Sequence, residues 1–142
     1  MIVYADTSAL VKLIIREAGS ADMLQLRPQI TVLATARIAY VELRAGLAAM
    51  RRNKRLAPVQ YRQAKRQLEG LWRSTSPIEI DTNLVMRAGE LADRRGLPGY
   101  DAVHLAALER LASPSQCVLA CWDGPLRRAA KSLRYRLFPV QV

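Results

Sequence analysis

IVYADTSAL, residues 2–10, is the stretch from which the fold can be read. Ile2, Val3 and Tyr4 are β-branched or aromatic and suit a buried strand, whereas Asp6, Thr7 and Ser8 are short polar residues of the kind that start helices. The chain therefore passes from strand to helix at Asp6, leaving a carboxylate at the C-terminal end of a strand. Open parallel α/β sheets bind their ligands at that edge.

The alternation continues outward. Residues 21–27 read as a short helix after Gly19 and Ser20, ended at Pro28, and residues 30–34 (ITVLA) as a second strand. Thr35 is placed to cap a helix whose apolar positions Ile38, Val41, Leu43, Leu47 and Met50 recur at helical spacing. Pro58 opens another helix to about residue 73, with Tyr61, Ala64, Leu68, Leu71 and Trp72 facing inward. A brief strand at 78–80 precedes a helix from Asp81 or Thr82 to Arg95, stopped by Gly96 and Pro98. A helix over 101–112, a strand over 117–122, a helix over 125–132 and a strand near 136–140 complete the pattern. Strands separated by helices predict an α/β fold, a central parallel sheet flanked by helices in an α/β/α sandwich. A length of 142 residues suits one domain, residues 1–142.

Four acids sit among apolar or small neighbours: Asp6, Glu42 in IAYVELRAG (38–46), Asp101 in LPGYDAVHLAAL (97–108) and Asp123 in VLACWDGPL (118–126). Burying an ionised carboxylate costs several kcal/mol unless it is paired or metal-bound, so four such acids predict convergence around a cation. The rest of the chain is basic: 22 Lys and Arg against 12 Asp and Glu give a net charge of +10. Nine Lys or Arg lie between Arg44 and Arg73 with a single acid, Glu69, and five lie between Arg127 and Arg136 with none. Guanidinium groups fork onto phosphate oxygens, which makes a polyanion the leading partner class.

No segment approaches the ~18 apolar residues of a membrane span, and no basic region precedes an apolar stretch at the N-terminus, so a cytoplasmic location is expected. Cys117 and Cys121, four apart in an extended run, would lie about 13 Å from each other, too far for a disulfide. They are expected to be free buried thiols.

Phosphodiester hydrolysis with Mg²⁺ or Mn²⁺ requires hard oxygen ligands and retained waters, which Asp and Glu provide. Paired-histidine acid–base chemistry is excluded because His104 is the only histidine. YADTSALVKL, AYVELRAGL, GLPGYDAVHLAAL and LACWDGPLRRAA, in that order and spacing, resemble the PIN-domain nucleases, and within them the short VapC-type toxins of toxin–antitoxin pairs. The resemblance implies a Mg²⁺-dependent ribonuclease, with Mn²⁺ as substitute, that acts on RNA and is held inactive by a small VapB-like antitoxin. A homodimer is also expected. Carried over residue by residue, it makes Asp6, Glu42, Asp101 and Asp123 the catalytic and metal-binding acids, with Ser8 lining the site. Two features depart from the family pattern: Cys121 stands where a hydroxyl residue is usual, and Gly124 and Pro125 follow the last acid where another polar or acidic residue is common. A catalytically weak RNA-binding module and a DNA-directed nuclease are the alternatives.

Each acid also has a plainer role open to it. Asp6 and Asp123 suit N-caps, Asp101 gains from a helix dipole, and Glu42 could be a solvated helical acid pairing with nearby Arg44 or Arg37. His104 is expected to pack or hydrogen-bond within its helix, Gly46 to admit a close backbone, and Glu17 and Asp22 to be ordinary helix-end charges.

Overall fold

The computed structural model describes residues 1–142. Five parallel strands form one sheet: β1 (Ile2–Ala5), β2 (Val32–Ala36), β3 (Ser76–Ile78), β4 (Cys117–Ala120) and β5 (Arg136–Phe138). Their order is β3-β2-β1-β4-β5. The chain steps outward from β1 to β2 and β3, then returns to the other flank of β1 for β4 and β5. The direction of winding thus reverses between β1 and β4, and the crevice above such a reversal is where ligands bind. Pairing of Ile2 with Cys117 through Ala5 with Ala120 brings Asp6 level with Cys121. The Asp6 amide donates to the Ala120 carbonyl at 3.2 Å, which pins the first acid to β4.

Helices cover both faces. On one lie α1 (Thr7–Leu10), continued by a 3₁₀ turn (Val11–Leu13), α2 (Ser20–Leu26), α3 (Ala39–Arg52) and α4 (Pro58–Arg73), over a core that includes Val3, Leu10, Leu33, Leu47 and Leu68. On the other lie α5 (Thr82–Arg95), α6 (Gly99–Leu111) and α7 (Gly124–Ser132), over Tyr4, Leu84, Leu105, Leu119 and Leu126. Val3 and Tyr4 enter opposite cores because successive strand residues alternate between faces. Leu105 and Leu108 are fully buried, each worth roughly 1.5–3 kcal/mol, and they anchor the helix that carries Asp101.

The α/β sandwich predicted from the alternation is the fold observed, with local differences. Thr35 does not cap α3: it belongs to β2, which runs two residues further than the apolar pattern suggests, and α3 follows Ile38 with no side-chain cap. β3 covers 76–78 in place of 78–80. It lies at the sheet's edge, where Pro77 removes no bond that the sheet requires. Gly46 faces open space, so no close backbone explains it. Cys117 and Cys121 are free and buried, as expected.

Candidate active site

Asp6 ends β1 and caps α1. Its Oδ1 accepts from the Ala9 amide at 3.0 Å, and the Ser8 hydroxyl lies 2.7 and 2.9 Å from its two oxygens. The Cys121 thiol donates to Oδ2 at 3.2 Å. The carboxylate is nearly inaccessible, and burial raises its pKa against the opposing pull of His104, Ser8, Cys121 and the Ala9 amide. Ser8 reaches further, accepting from the Trp122 amide at 2.8 Å and so joining the loop after β4 to the one after β1. Cys121, the departure from the family pattern, therefore does supply a donor to the first acid. Burial, followed by the Asp6 charge, pushes its thiol far up and keeps it protonated.

Glu42 stands in the first turn of α3. Neither arginine offered by the sequence holds it, since Arg44 pairs with Glu69 and Arg37 with Glu79. His104 does. Its Nε2 lies 2.8 Å from Glu42 Oε1, to which the Thr7 hydroxyl also donates at 3.0 Å. His104 Nδ1 lies 2.8 Å from the Tyr4 hydroxyl, and that hydroxyl accepts from the Ala36 amide at 3.0 Å. With the Ala36 amide donating to Tyr4, the polarity that satisfies every group is Tyr4 donating to Nδ1 and Nε2–H donating to Glu42. His104 thus bonds across the sheet and not within its helix. Tyr4, Thr7 and His104 support the site in a way that the sequence reading did not assign to them.

Asp101 lies in the first turn of α6 and is partly exposed. Its pKa is pushed up to about 6, first by burial and then by Asp123, with Asp6 and Glu42 adding to the shift and His104 opposing it. One carboxyl group therefore feels the other three. Asp123 caps α7, its Oδ1 accepting from the Leu126 amide at 3.1 Å, so its capping role is real as well. All five residues expected in the site gather at the C-terminal ends of β1 and β4 and the helix starts beside them.

The convergence is looser than the sequence suggested. No three of the His, Cys, Asp and Glu side chains form a ready cation cage. The donor set nevertheless has the chemistry of a hard divalent ion's ligands, since such an ion prefers carboxylate oxygens, keeps several waters and takes only one or two carboxylates directly.

Other charged residues prove structural. Glu17 is the partner of buried Lys12 at 2.7 Å and not an ordinary helix-end charge, while Asp22 is exposed in the first turn of α2 as expected. Lys12 also lies 4.8 Å from the Trp122 ring centre. Arg127 donates to the carbonyls of Cys121 at 2.7 Å and Pro139 at 2.8 Å, which withdraws it from the free basic group.

The model of the PIN domain family matches residues 3–115. The chain is 38% identical over 141 residues to ribonucleases VapC45 and VapC49 of Mycobacterium tuberculosis strains, covering 99% of this chain and 97% of theirs. Among solved structures, FitAcB from Neisseria gonorrhoeae superposes with a TM-score of 0.72 at 14% identity, over 98% of both chains. VapC20 of M. tuberculosis, a toxin that cleaves the sarcin–ricin loop, does so at 0.67 and 17%, over 89% of this chain and 94% of that one. At those identities the structures speak for the fold alone. Through the family match and the full-length identity to its relatives, the chain belongs to the PIN-domain family, in the group that contains those VapC proteins.

Proposed function

We propose that the protein is a divalent-metal-dependent endoribonuclease, the toxin of a toxin–antitoxin pair, hydrolysing RNA phosphodiester bonds. The observation that carries this reading is the gathering of Asp6, Glu42, Asp101 and Asp123, with Asp6 and Glu42 each held in place by short hydrogen bonds, at the strand ends and helix starts of one crevice; burial and the neighbouring acids push the Asp101 carboxyl up to about 6 in keeping with it. Such a cluster gains most from a cation, with Asp6 and Asp101 holding it and Glu42 and Asp123 adding charge. Mg²⁺, or Mn²⁺ in its place, would activate water and neutralise charge on the phosphoryl oxygens. The protein's own part is positional. Ser8, Cys121 and the Ala9 amide fix Asp6, while His104 and Thr7 fix Glu42. The net charge of +10 draws the RNA in.

The names of the relatives support ribonuclease activity, and the family supports a VapB-like antitoxin. A groove of about 540 Å³ that sets Ile14, Ile15, Met50 and Leu56 beside Arg16, Arg55 and the glutamines of α4 offers a mixed apolar and basic surface for an antitoxin segment. Exposed Val41, Val85 and Met86 offer apolar surface for a second copy, in keeping with a homodimer. No helix is long and apolar enough to cross a membrane, and the cytoplasm is the proposed location.

The test is cleavage of matched RNA and DNA oligonucleotides. Activity on RNA should require Mg²⁺ or Mn²⁺, stop with EDTA, resist rescue by Ca²⁺ and leave a 5′-phosphate. A 2′,3′-cyclic phosphate would show attack by the RNA's own hydroxyl and overturn the mechanism. Preference for DNA would move the substrate class, and RNA binding without cleavage would leave a binding module.

A further inference from the structure

Beside the acids lies a groove of about 450 Å³ that neither the fold nor the carboxylate site requires. Arg94, Arg95, Arg128 and Ser132 line it, with Leu97, Pro98 and Pro125 among its walls and no acid in its lining. None of the three arginines is within ion-pair distance of a carboxylate, although arginines elsewhere, such as Arg37, Arg87 and Arg110, are paired. Arg95 donates to the Ser132 hydroxyl. Arg94 and Arg128 are exposed and without side-chain partners. Unpaired guanidinium groups lining one cavity repel, and an anion relieves that repulsion by forked hydrogen bonds.

The groove's place matters as much as its charge. Pro125 is two residues from Asp123 and Pro98 three from Asp101, so chain geometry alone holds the walls within about 7 and 11 Å of those acids. Arg128 comes closer still: its Nη1 lies 3.1 Å from the point a Cβ on Gly124 would occupy. Gly124 follows Asp123 directly and begins α7. The missing side chain at 124 is the space into which the guanidinium folds.

We propose that Arg94, Arg95 and Arg128 form an anion subsite that holds a backbone phosphate of the RNA flanking the bond to be cut. This rests on the nuclease reading above. The subsite positions the strand and does not touch the reacting phosphate, so it acts on substrate binding and not on the chemical step.

The experiment has two arms. In EDTA, the affinity of a short fluorescein-labelled RNA of mixed sequence is measured against salt for the wild type, Arg94→Gln/Arg128→Gln and Arg136→Gln. Arg136 is an equally exposed cation at the start of β5, the opposite end of the sheet. The double variant should bind about tenfold more weakly, with its salt slope reduced by about 0.7 for each phosphate no longer neutralised, while Arg136→Gln should stay close to wild type. In Mg²⁺, single neutral methylphosphonate linkages are then placed around the mapped cut. One flanking linkage should raise KM in the wild type with kcat unchanged and have no further effect in the double variant. Gly124→Ala, which displaces Arg128, should give an intermediate KM. An unchanged salt slope in the double variant overturns the subsite whether or not RNA is cut. Equal losses from Arg136→Gln, or additive losses at every linkage, overturn it too, since either reduces the arginines to general charge. A lowered slope without any wild-type cleavage would keep the anion groove but remove its placement beside a cut, together with the nuclease reading.

Discussion

His104 Nε2 sits 2.8 Å from Glu42 Oε1, although 62 positions separate the two residues. α6 thereby fixes the orientation of an acid on α3, on the other face of the sheet. Tyr4 completes the connection from β1, the strand between them, with its hydroxyl 2.8 Å from Nδ1. The consequence is that the third acid-bearing helix and the second are set by one imidazole.

If that imidazole positions Glu42, His104→Ala should reduce RNA cleavage by about 10- to 100-fold and shift the Mg²⁺ requirement upward. His104→Gln, whose amide can still donate to Glu42, should recover part of both. Equal loss in the two variants, with no change in Mg²⁺ dependence, would reduce His104 to packing. Tyr4→Phe should cost about 1–3 kcal/mol in urea unfolding, because it strands the Ala36 amide.

Asp6→Asn, Glu42→Gln and Asp101→Asn should each abolish cleavage in a folded protein. Thermal melting separates Asp101 further. Its pKa in the folded protein rises from 3.8 to about 6, so the folded state holds the proton more tightly. Metal-free stability is therefore highest below the ordinary carboxylate pKa, falls as pH rises through this window and stays lower above it. Asp101→Asn should remove that penalty at pH 7, worth about 1 kcal/mol after allowance for solvent screening of a partly exposed group. A melting temperature about 3 °C above wild type in EDTA is the expected result. The difference should shrink as pH falls and vanish only below the ordinary carboxylate pKa, at about pH 3.

Asp123→Asn keeps an oxygen for the Leu126 amide and loses only the charge. Stability should be unchanged, activity should fall, and half-maximal cleavage should need more Mg²⁺. Asp123→Ala should in addition lose about 1 kcal/mol of stability through the cap. Full activity of the Asn variant at limiting Mg²⁺ would leave a three-acid site.

Gly19 has φ +86°, and a Cβ there would meet the Trp122 indole at 2.8 Å. Gly19→Ala should destabilise the protein by about 2 kcal/mol. It should also depress cleavage, because the Trp122 amide is bonded to Ser8. Chemical denaturation and single-turnover cleavage measure the two effects separately.

The strands, the helices and the four acids were legible because each leaves a local mark: a β-branched run, a helical period, a carboxylate in apolar surroundings. The links between them were not. Tyr4 and His104 are 100 positions apart, and nothing near either residue signals the other. Thr35 looked like a cap because hydroxyl residues before helices commonly are, yet pairing with β3 extends β2 through it and leaves its hydroxyl buried without a partner. Glu17 and Arg127 read as surface charges for the same reason. Their partners, a buried lysine and two backbone carbonyls, are set by tertiary packing.

The sheet order has a consequence for how the protein is made. β1 can pair with β2 once the first 36 residues are available, but its other neighbour, β4, begins only at Cys117. The crevice between them, and with it the alignment of Asp6 against Cys121 and Asp123, waits until most of the chain has been synthesised. A site built this way cannot assemble from the N-terminal part of the chain alone, because two of its residues arrive with β4 and the turn that follows it.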